Sequence, residues 1–511
     1  MKATGSLWIK ALVFSSVIMA HSAVLQFVQA QDQNPDPNAA QAQISVSKPA
    51  GGGVSLTWST ENADPDTSPL KVEILKSTDV TSTDSNWTRF PADNEDGLFG
   101  LNGSLDVAEI ADGVPGFFRI RLVDPNAGPV RASLVSATLI KTYTTQEILA
   151  LISEFTNGLS ATFPLAIENG VSAWNIVYKT PDLQGNLIDA SGVVFIPDGV
   201  ENPAATVSYQ HGTLFNKQDA PSLGTTPEFT VGLFMGGNGY VCVMADYLGF
   251  GASAQLLHPY LHADTEASSC VDMILAAREF QEGQGLPTAD RLFLTGYSQG
   301  GHSTMALHRE IDLNFSDRLT VTASSPMAGP HSVSQVMFER MTSNQAYPNP
   351  FYLVFIVFSY NEAYGLFDDP GEYFREPYAT TLRNLLAADA PEDQINDFLP
   401  GQASLMFRED VFNEFKSNPD HPLRLALAAN DTFTGDWLPE APIRMYHCTS
   451  DEVVPYQNSV VARDALLARV GAGADIRVED PRLLPFFQDG SHTGCVTWAL
   501  VALQGWVEDL L

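Results

Sequence analysis

Two patterns of apolar and polar positions follow one another along the chain. In residues 42–140, short runs of alternating apolar and polar residues are separated by clusters of Gly, Pro, Asn and Asp. A period of two between such breaks predicts antiparallel strands of a β-sandwich. The clearest runs are residues 43–48, 54–58, 70–75 and 117–123. We therefore expect a small all-β domain in this part of the chain.

The pattern changes near residue 143. Compact apolar runs now alternate with stretches of helical spacing, and the runs include residues 205–209, 240–245, 292–294, 319–323, 443–446 and 474–478. Strands that alternate with helices predict an open α/β sheet. The strand pattern is interrupted over about residues 331–441, where short helical patterns predict an inserted cap. Within it, the apolar run 351–358 fits either a buried helix of the cap or an acyl-binding wall.

The N-terminus has the pattern of an export signal. Basic residues precede an apolar run at 11–20, and small residues lead up to Ala30. This predicts a signal peptide of residues 1–30, cleaved after Ala30, and a flexible leader of residues 31–41. No later stretch is apolar enough to predict a membrane span. We expect a secreted protein, extracellular or periplasmic, with no integral membrane segment in the mature chain.

Composition and charge narrow the class of partner. The 511-residue chain is 44% hydrophobic and carries a formal net charge of −33. The hydrophobic content is that of a globular protein. Nucleic acids and anionic membrane surfaces are bound through clustered Lys and Arg, so the charge argues against both. The oligomeric state is left open by these properties.

Residues 292–307 contain the strongest chemical motif. The apolar run 292–294 is followed by Gly-Tyr-Ser-Gln-Gly at 296–300, which matches G-x-S-x-G, and then by helix-forming residues. A strand that enters a helix through this pentapeptide is a nucleophile elbow. It predicts Ser298 as the nucleophile and the backbone amide of Gln299 as one donor of an oxyanion hole.

A serine nucleophile needs a base, and the base needs a carboxylate to orient it. In this type of fold the order along the chain is serine, acid, histidine. Asp451 follows a predicted strand in a loop and is the predicted acid, with Glu452 as the adjacent alternative. His492, in a polar loop before the last helix, is the predicted base. Asp489 is less favoured as the acid because it shares the loop of the base.

The second oxyanion donor is expected in the loop after the strand at 205–209. We predict the amide of Thr213, made accessible by Gly212, and expect His211 to shape this loop. His258 and His262 have a spacing that occurs in metal sites, but no third ligand pattern accompanies them, so we expect structural roles. No metal and no cofactor are predicted.

Residues 143–511 resemble the secretory lipase branch of the α/β-hydrolase superfamily, which includes exported fungal lipases and bacterial relatives. The resemblance is carried by residues 210–213, 246–251, 258–260, 296–301, the loop of Asp451 and residues 492–495. It implies an α/β-hydrolase fold with esterase or lipase chemistry on hydrophobic acyl esters. Residues 42–140 loosely resemble a fibronectin type III-like module. Simple lipases lack such a module, so the natural substrate stays open.

The predicted function is that of a secreted serine carboxylic-ester hydrolase that acts on small hydrophobic or polymer-linked esters. One alternative is a serine peptidase of the prolyl oligopeptidase type, although the N-terminal part is too short for a propeller and lacks blade repeats. Another is a non-catalytic binding or adhesion protein with a degenerate hydrolase domain. The complete set of Ser298, Asp451 and His492 argues against it.

Four cysteines in an exported chain favour disulfides. Cys448 and Cys495 lie next to the predicted acid and base loops. If those loops meet, a Cys448–Cys495 bridge is geometrically reasonable. The second predicted bridge joins Cys242, in a core strand, to Cys270, in the next helix.

Overall fold

The computed structural model describes residues 130–155, 167–224, 228–343, 345–387, 390–482 and 489–511, except for the side chains at positions 155 and 387. Of residues 1–129 it describes only the backbone of short strands. The chain divides into two compact units, Met1–Val130 and Arg131–Leu511, and each is described by itself.

In the first unit, the described backbone forms strands that pair antiparallel in two sheets, ordered β1-β9-β5-β6 (with β7 also on β5) and β2-β3-β4-β8. These strands are β1 Ile9–Leu12, β2 Leu25–Gln26, β3 Gln41–Ser47, β4 Val54–Glu61, β5 Lys71–Ser77, β6 Thr88–Arg89, β7 Leu98–Phe99, β8 Gly103–Val107 and β9 Phe117–Val123. The predicted signal peptide, leader and sandwich core depend on residues and side chains outside the described set, so all three stay predictions.

In the described part of the second unit, nine strands form one mixed sheet in the order β10-β11-β12-β14-β13-β15-β16-β17-β18. They are β10 Leu134–Tyr143, β11 Val171–Pro181, β12 Leu187–Pro197, β13 Thr206–Gln210, β14 Val241–Ala245, β15 Leu292–Tyr297, β16 Val321–Met327, β17 Ile443–Tyr446 and β18 Ile476–Glu479. The pairs from β10 to β14 are antiparallel and the others are parallel. The prediction of an open α/β sheet is confirmed.

The α-helices in the described residues are α1 Thr145–Phe155, α2 Phe229–Gly237, α3 Ala263–Gln284, α4 Gln299–Asn314, α5 Phe338–Thr342, α6 Pro350–Tyr364, α7 Tyr378–Ala387, α8 Glu392–Phe398, α9 Ala403–Met406, α10 Glu409–Ser417, α11 Pro422–Ala429, α12 Gln457–Val470 and α13 His492–Leu510. Within this part of the chain, no helix is long and apolar enough to cross a bilayer.

The central strands of the sheet are buried on both faces, since every residue of β13, β14 and β15 is buried. Side chains alternate between the two faces along each strand. In β15, Phe293 packs into a core that includes residues of α2 and α13. Its neighbours Leu292 and Leu294 pack into a second core that includes residues of α3 and α4. The helices on the two sides are thereby attached to a common layer, from which β15 leads directly into α4.

The start of this unit differs from the predicted domain boundary at residue 140. Strand β10 spans Leu134–Tyr143 and pairs with β11 of the mixed sheet. An antiparallel edge strand of a mixed sheet has the same alternating pattern as a strand of a sandwich. Alternation alone therefore does not distinguish residues 134–140 from a preceding β domain.

Seven described helices, α5 to α11, lie between β16 and β17, over the range in which the sequence predicts a helical insertion. Their buried side chains form a separate hydrophobic cluster. The apolar run 351–358 belongs to α6, which begins with Pro350 at its N-terminus and ends at a left-handed Gly365. A helix of this kind is apolar on most sides because most of its surface is buried.

Candidate active site

Ser298 lies on the sharp turn between β15 and α4. Its backbone has φ 60° and ψ −121°, a conformation that side-chain-bearing residues rarely adopt. A Cβ atom added to Gly296 or Gly300 would collide with the backbone oxygen of Gln210. The turn is also attached to β16, because the amide of Ser298 donates to the carbonyl of Met327 at 3.0 Å. These contacts explain why the motif requires glycine on both sides of the serine.

The structure brings Ser298, His492 and Asp451 together although they are far apart in sequence. His492 Nε2 lies 2.8 Å from Ser298 Oγ, and His492 Nδ1 lies 2.6 Å from Asp451 Oδ2. An ionised carboxylate can only accept, so Nδ1 carries a proton and the lone pair of Nε2 faces the hydroxyl. This is the geometry in which a histidine acts as a general base toward a serine.

Asp451 is held in its ionised form. Burial would raise the pKa of Asp451, but hydrogen bonds from His447 and His492 outweigh burial and lower it to about 2. The second carboxylate oxygen accepts the backbone amides of Val453 at 3.0 Å and Val454 at 2.8 Å. The carboxylate therefore keeps both its charge and its orientation.

His447 is a residue of this site that the sequence analysis missed. Its Nε2 lies 2.9 Å from the carbonyl oxygen of Val454 and 3.4 Å from Asp451 Oδ2, and its Nδ1 lies 2.8 Å from Ser459 Oγ. Because a carbonyl only accepts, Nε2 donates and Nδ1 accepts from the serine hydroxyl. Its place next to Cys448 at the end of β17 was visible in the sequence, but no local pattern indicated that its ring turns toward the acid.

The two competing carboxylates have other positions. Glu452 accepts the backbone amide of His492 at 3.1 Å, and Asp489 accepts the amide of Ser491 at 3.0 Å. The hydroxyl of Tyr297 donates to the carbonyl of His492 at 2.7 Å. Glu452 and Tyr297 therefore hold the backbone of His492, while Asp451 contacts its ring.

A disulfide joins Cys448 to Cys495, with a Cα–Cα distance of 6.0 Å and a sequence separation of 47. Cys448 precedes the loop of Asp451, and Cys495 lies in the first turn of α13, which His492 begins. Cross-linking a loop of this length contributes about 4 kcal/mol in the chain-entropy model. The bridge thus connects the two segments that carry Asp451 and His492.

The predicted Cys242–Cys270 bridge is wrong, because both residues are free, buried thiols. Cys242, in β14, packs into the core on one face of the sheet, whereas Cys270, in α3, packs into the core on the other face. Proximity along the chain did not reveal which face of β14 carries the thiol. The sheet lies between the two sulfur atoms.

The loop after β13 has the position expected of an oxyanion loop. The amide of Gly212 donates to both carboxylate oxygens of Glu228, at 3.0 and 2.8 Å, while burial raises the pKa of Glu228 to about 7. Within the described residues, neither the amide of the next residue, Thr213, nor that of Gln299 has a hydrogen-bond acceptor. Both amides thus remain available to a ligand. His211 Nδ1 lies 2.8 Å from the carbonyl of Gly212, within the same loop.

His258 and His262, the pair with metal-like spacing, have different environments. His258 Nδ1 lies 2.7 Å from the carbonyl of Leu248, and His262 caps the N-terminus of α3 by accepting the amide of Thr265. In the described part of the chain, no three His, Cys, Asp or Glu side chains form a group suited to a metal ion.

A small apolar cavity of about 20 Å³ lies against Ser298, which is room for about one water molecule. Cap residues and strand-end loops line it, among them Tyr260, Met337, Met341, Tyr347, Leu353, Ile356 and Val453. Helix α6 contributes to both the cavity and the cap core, since Leu353 and Ile356 line the cavity while Phe351 and Phe355 pair with Phe215. Its apolar run therefore belongs to a buried cap helix that also lines the space beside Ser298.

The fold is similar to those of solved structures. A mutant of the rice cell wall degrading esterase LipA from Xanthomonas oryzae shares 26% identity over 75% of this chain and 100% of its own, with a TM-score of 0.65. A putative hydrolase from Legionella pneumophila shares 26% identity over 74% of this chain and 98% of its own, also with a TM-score of 0.65. The closed state of Candida antarctica lipase A shares 17% identity over 75% of this chain and 82% of its own, with a TM-score of 0.54.

No family model and no curated protein matches the chain. The mixed sheet, the elbow after β15 and the structural similarity together define an α/β-hydrolase fold, related to that of LipA and of lipase A. Similarity at 26% identity to an esterase and to a putative hydrolase indicates a hydrolase.

Proposed function

We propose that this protein is an exported serine carboxylic-ester hydrolase, an esterase or lipase that acts through an acyl-enzyme. The observation that carries the proposal is the pair of contacts at His492, 2.8 Å to Ser298 Oγ and 2.6 Å to Asp451 Oδ2. A serine with this relay on a nucleophile elbow is the arrangement used for acyl transfer.

In the proposed reaction, Ser298 Oγ attacks the ester carbonyl while its proton passes to His492 Nε2. The amides of Gln299 and Thr213 stabilise the tetrahedral oxyanion. The alcohol leaves with the proton from His492, and an ester bond now joins the acyl group to Ser298. Water, deprotonated by His492, then attacks this bond, which releases the carboxylic acid and restores the serine. Asp451 stabilises the imidazolium in both steps, and no cofactor takes part.

The lining of the cavity supports hydrophobic acyl esters as substrates. Methionine, leucine, isoleucine and valine side chains lie beside Ser298, together with three tyrosines. An apolar wall favours the acyl part of an ester over a charged group. LipA degrades rice cell walls. For the present chain we accordingly propose small hydrophobic or polymer-linked esters.

Three observations support export. The Cys448–Cys495 disulfide is of a kind that persists in oxidising compartments, the N-terminus has the pattern of a signal peptide, and the net charge is −33. We propose that the mature chain begins at Gln31, with residues 42–140 as an accessory β-sandwich. Intact-mass measurement of the exported protein tests the first point, and a start at Met1 would contradict it.

The test of the catalytic proposal combines covalent labelling with substrate profiles. A fluorophosphonate should label Ser298, and p-nitrophenyl esters should be hydrolysed faster than matched peptide p-nitroanilides. Ser298→Ala should abolish labelling and reduce kcat on the order of 10⁵-fold or more. Ser417→Ala, the same change at an exposed position on α10, is the matched control. Full turnover by Ser298→Ala would refute the assignment, and absence of labelling in the wild type would favour a degenerate hydrolase domain.

A further inference from the structure

A chain of hydrogen bonds passes through the first turn of α4. Gln299 Nε2 lies 2.7 Å from both His258 Nε2 and Glu266 Oε1. His302 Nδ1 lies 2.7 Å from Glu266 Oε2, and His302 Nε2 lies 3.0 Å from the backbone oxygen of Asn430. All four side chains are buried, none being more than 3% exposed. A buried carboxylate thus contacts the residue that follows the nucleophile.

The partners of these groups determine where the protons are. His258 Nδ1 faces the carbonyl of Leu248 at 2.7 Å and must donate, so His258 Nε2 is free to accept from Gln299. His302 faces an acceptor at each nitrogen, the carboxylate of Glu266 and the carbonyl of Asn430. A neutral imidazole carries only one N–H. The contacts are satisfied when His302 is an imidazolium and Glu266 is ionised.

The surroundings favour this charged pair. Burial would raise the pKa of Glu266, but the charge of His302 and hydrogen bonds from His302, Gln299 and Ser303 hold it below its ordinary value. The other titratable groups that face the pair are His211, Tyr247, His258, Tyr260, His262, Cys270, His331, Tyr360 and Asp431. Burial lowers the pKa of these histidines and raises that of the tyrosines and Cys270, so all are uncharged at neutral pH. Asp431 is the one carboxyl in this set; burial raises its pKa, and hydrogen bonds from Ser334 oppose that rise.

We propose that Glu266 and His302 are positioning residues of the active site, held as a buried carboxylate–imidazolium pair that orients Gln299 and its oxyanion-stabilising amide. The inference rests on the proposed function, since it takes the amide of Gln299 as an oxyanion donor. Neither side chain lines the cavity beside Ser298. Both protons of Gln299 Nε2 are committed to fixed acceptors, so the backbone of this residue has little freedom to turn.

The same pair connects the elbow to the cap. Asn430, whose carbonyl accepts from His302, follows α11. Its side chain accepts the amide of Ala263, at the start of α3, at 2.8 Å and donates to the hydroxyl of Tyr364, at the end of α6, at 2.8 Å. The elbow, α3 and two cap helices therefore meet at this one asparagine.

Removing the charge of His302 should change the way in which kcat depends on pH. Without the charge of His302, burial raises the pKa of Glu266. Below that pKa the carboxyl is neutral. Above it, an unpaired negative charge lies next to Gln299 and opposes the oxyanion, so kcat falls as the pH rises. The wild type lacks this alkaline decline because its carboxylate stays paired.

The test uses three variants of the full-length protein. His302→Asn keeps a donor toward Glu266 but removes the charge, and should lower kcat on the order of 100-fold at alkaline pH with little change in KM. Glu266→Gln leaves a neutral hydrogen-bonded network and should lower kcat by roughly three- to tenfold. The double variant Glu266→Gln/His302→Asn should lose the alkaline decline and recover much of the kcat lost in His302→Asn.

His308→Asn is the matched control, since His308 is a buried histidine of the same helix whose contacts, Ser324 at 2.8 Å and Asp312 at 3.3 Å, do not include Gln299. Active sites are counted with a fluorophosphonate, so that kcat refers to folded enzyme. If folded His302→Asn keeps the wild-type kcat and pH profile, the pair has only a structural role and the proposal fails. Should His302→Asn not fold, a Glu266→Gln variant whose kcat equals that of the wild type leads to the same conclusion.

A measurement independent of activity separates this proposal from the proposed function. In ¹⁵N-histidine-labelled protein, assigned with His302→Asn, we expect both ring nitrogens of His302 to carry protons at pH 7. A neutral ring would overturn the charged pair even if the enzyme is active. A protonated ring in a protein without ester turnover would refute the proposed function and keep the pair.

Discussion

Among the described residues, the pairs His492–Asp451 and His302–Glu266 both lie next to the elbow, and they differ at the second nitrogen of the histidine ring. In His492–Asp451 and in His302–Glu266, Nδ1 lies 2.6 and 2.7 Å from a carboxylate oxygen. The second nitrogen of His492 faces the hydroxyl of Ser298, whereas that of His302 faces a carbonyl. A hydroxyl can give up its proton and a carbonyl has none. The first pair can therefore act as a base, while the second is restricted to a fixed charge.

Among changes to the two pairs, replacement of Asp451 should have the largest effect. Asp451→Asn leaves the packing in place but presents an amide that can stabilise the wrong tautomer of His492, so kcat should fall on the order of 10⁴-fold. Initial rates on a short p-nitrophenyl ester measure it. Asp489→Asn, in the loop of the base, is the control and should retain turnover. A variant at position 451 that is nearly as active as the wild type would remove the distinction between the two pairs.

The disulfide supports only the first pair, and its removal should affect stability more than the chemistry of a folded site. Cys448→Ala/Cys495→Ala should lose about 2 to 5 kcal/mol of unfolding free energy, as measured in urea. Thiol counting provides the check: in denaturant without reductant, Cys242 and Cys270 should react and the bridged pair should not. Four reactive thiols would mean that the bridge is absent.

Acid should weaken the first pair in a defined range of pH. The pKa of Asp451 is lowered from 3.8 to about 2 in the folded state. Its contribution to stability is thus fully present above its unfolded pKa and is lost as the pH falls through the folded value, by roughly 2 kcal/mol in total. Urea unfolding of the wild type and Asp451→Asn between pH 6 and about 2 measures the difference. A difference that does not change with pH would contradict the lowered pKa.

The smallest decrease in kcat is expected when the hydrogen bond between Ser459 and His447, which contacts Asp451, is removed. Ser459→Ala removes the hydroxyl from which His447 Nδ1 accepts a hydrogen bond at 2.8 Å. The loss of one such bond costs about 1 kcal/mol, so kcat should fall by only a few-fold. Ser417→Ala is again the exposed control. A loss as large as that of Asp451→Asn would show that His447 takes a direct part in the reaction.

Local sequence was sufficient to locate the elbow and to propose its partners. The Gly-x-Ser-x-Gly pattern has a steric cause that lies within a few residues, the collision that a Cβ at Gly296 or Gly300 would suffer. Asp451 and His492 followed from their order along the chain and from polar loops after predicted elements. The α/β sheet followed from apolar runs that are buried on both faces.

Some contacts between distant segments were not predicted from the sequence. No local sequence pattern indicated the contacts of His447, Glu228 or the Glu266–His302 pair. The role of a buried histidine or glutamate depends on the groups that it contacts in space, and these are distant in the sequence. The wrong Cys242–Cys270 bridge has the same origin. Two cysteines near each other in the chain are separated by the sheet, and only the register of β14 decides which face carries the thiol.

By itself, the sequence determined the element types, the strained turn at Ser298 and the residues able to serve as base and acid, since these depend on neighbours within a few positions. The tertiary structure decided which carboxylate contacts which imidazole, which cysteines are bonded and which nitrogen carries a proton. Hydrogen bonds and charge pairs act over a few ångströms in space, and folding brings together groups that are more than a hundred residues apart.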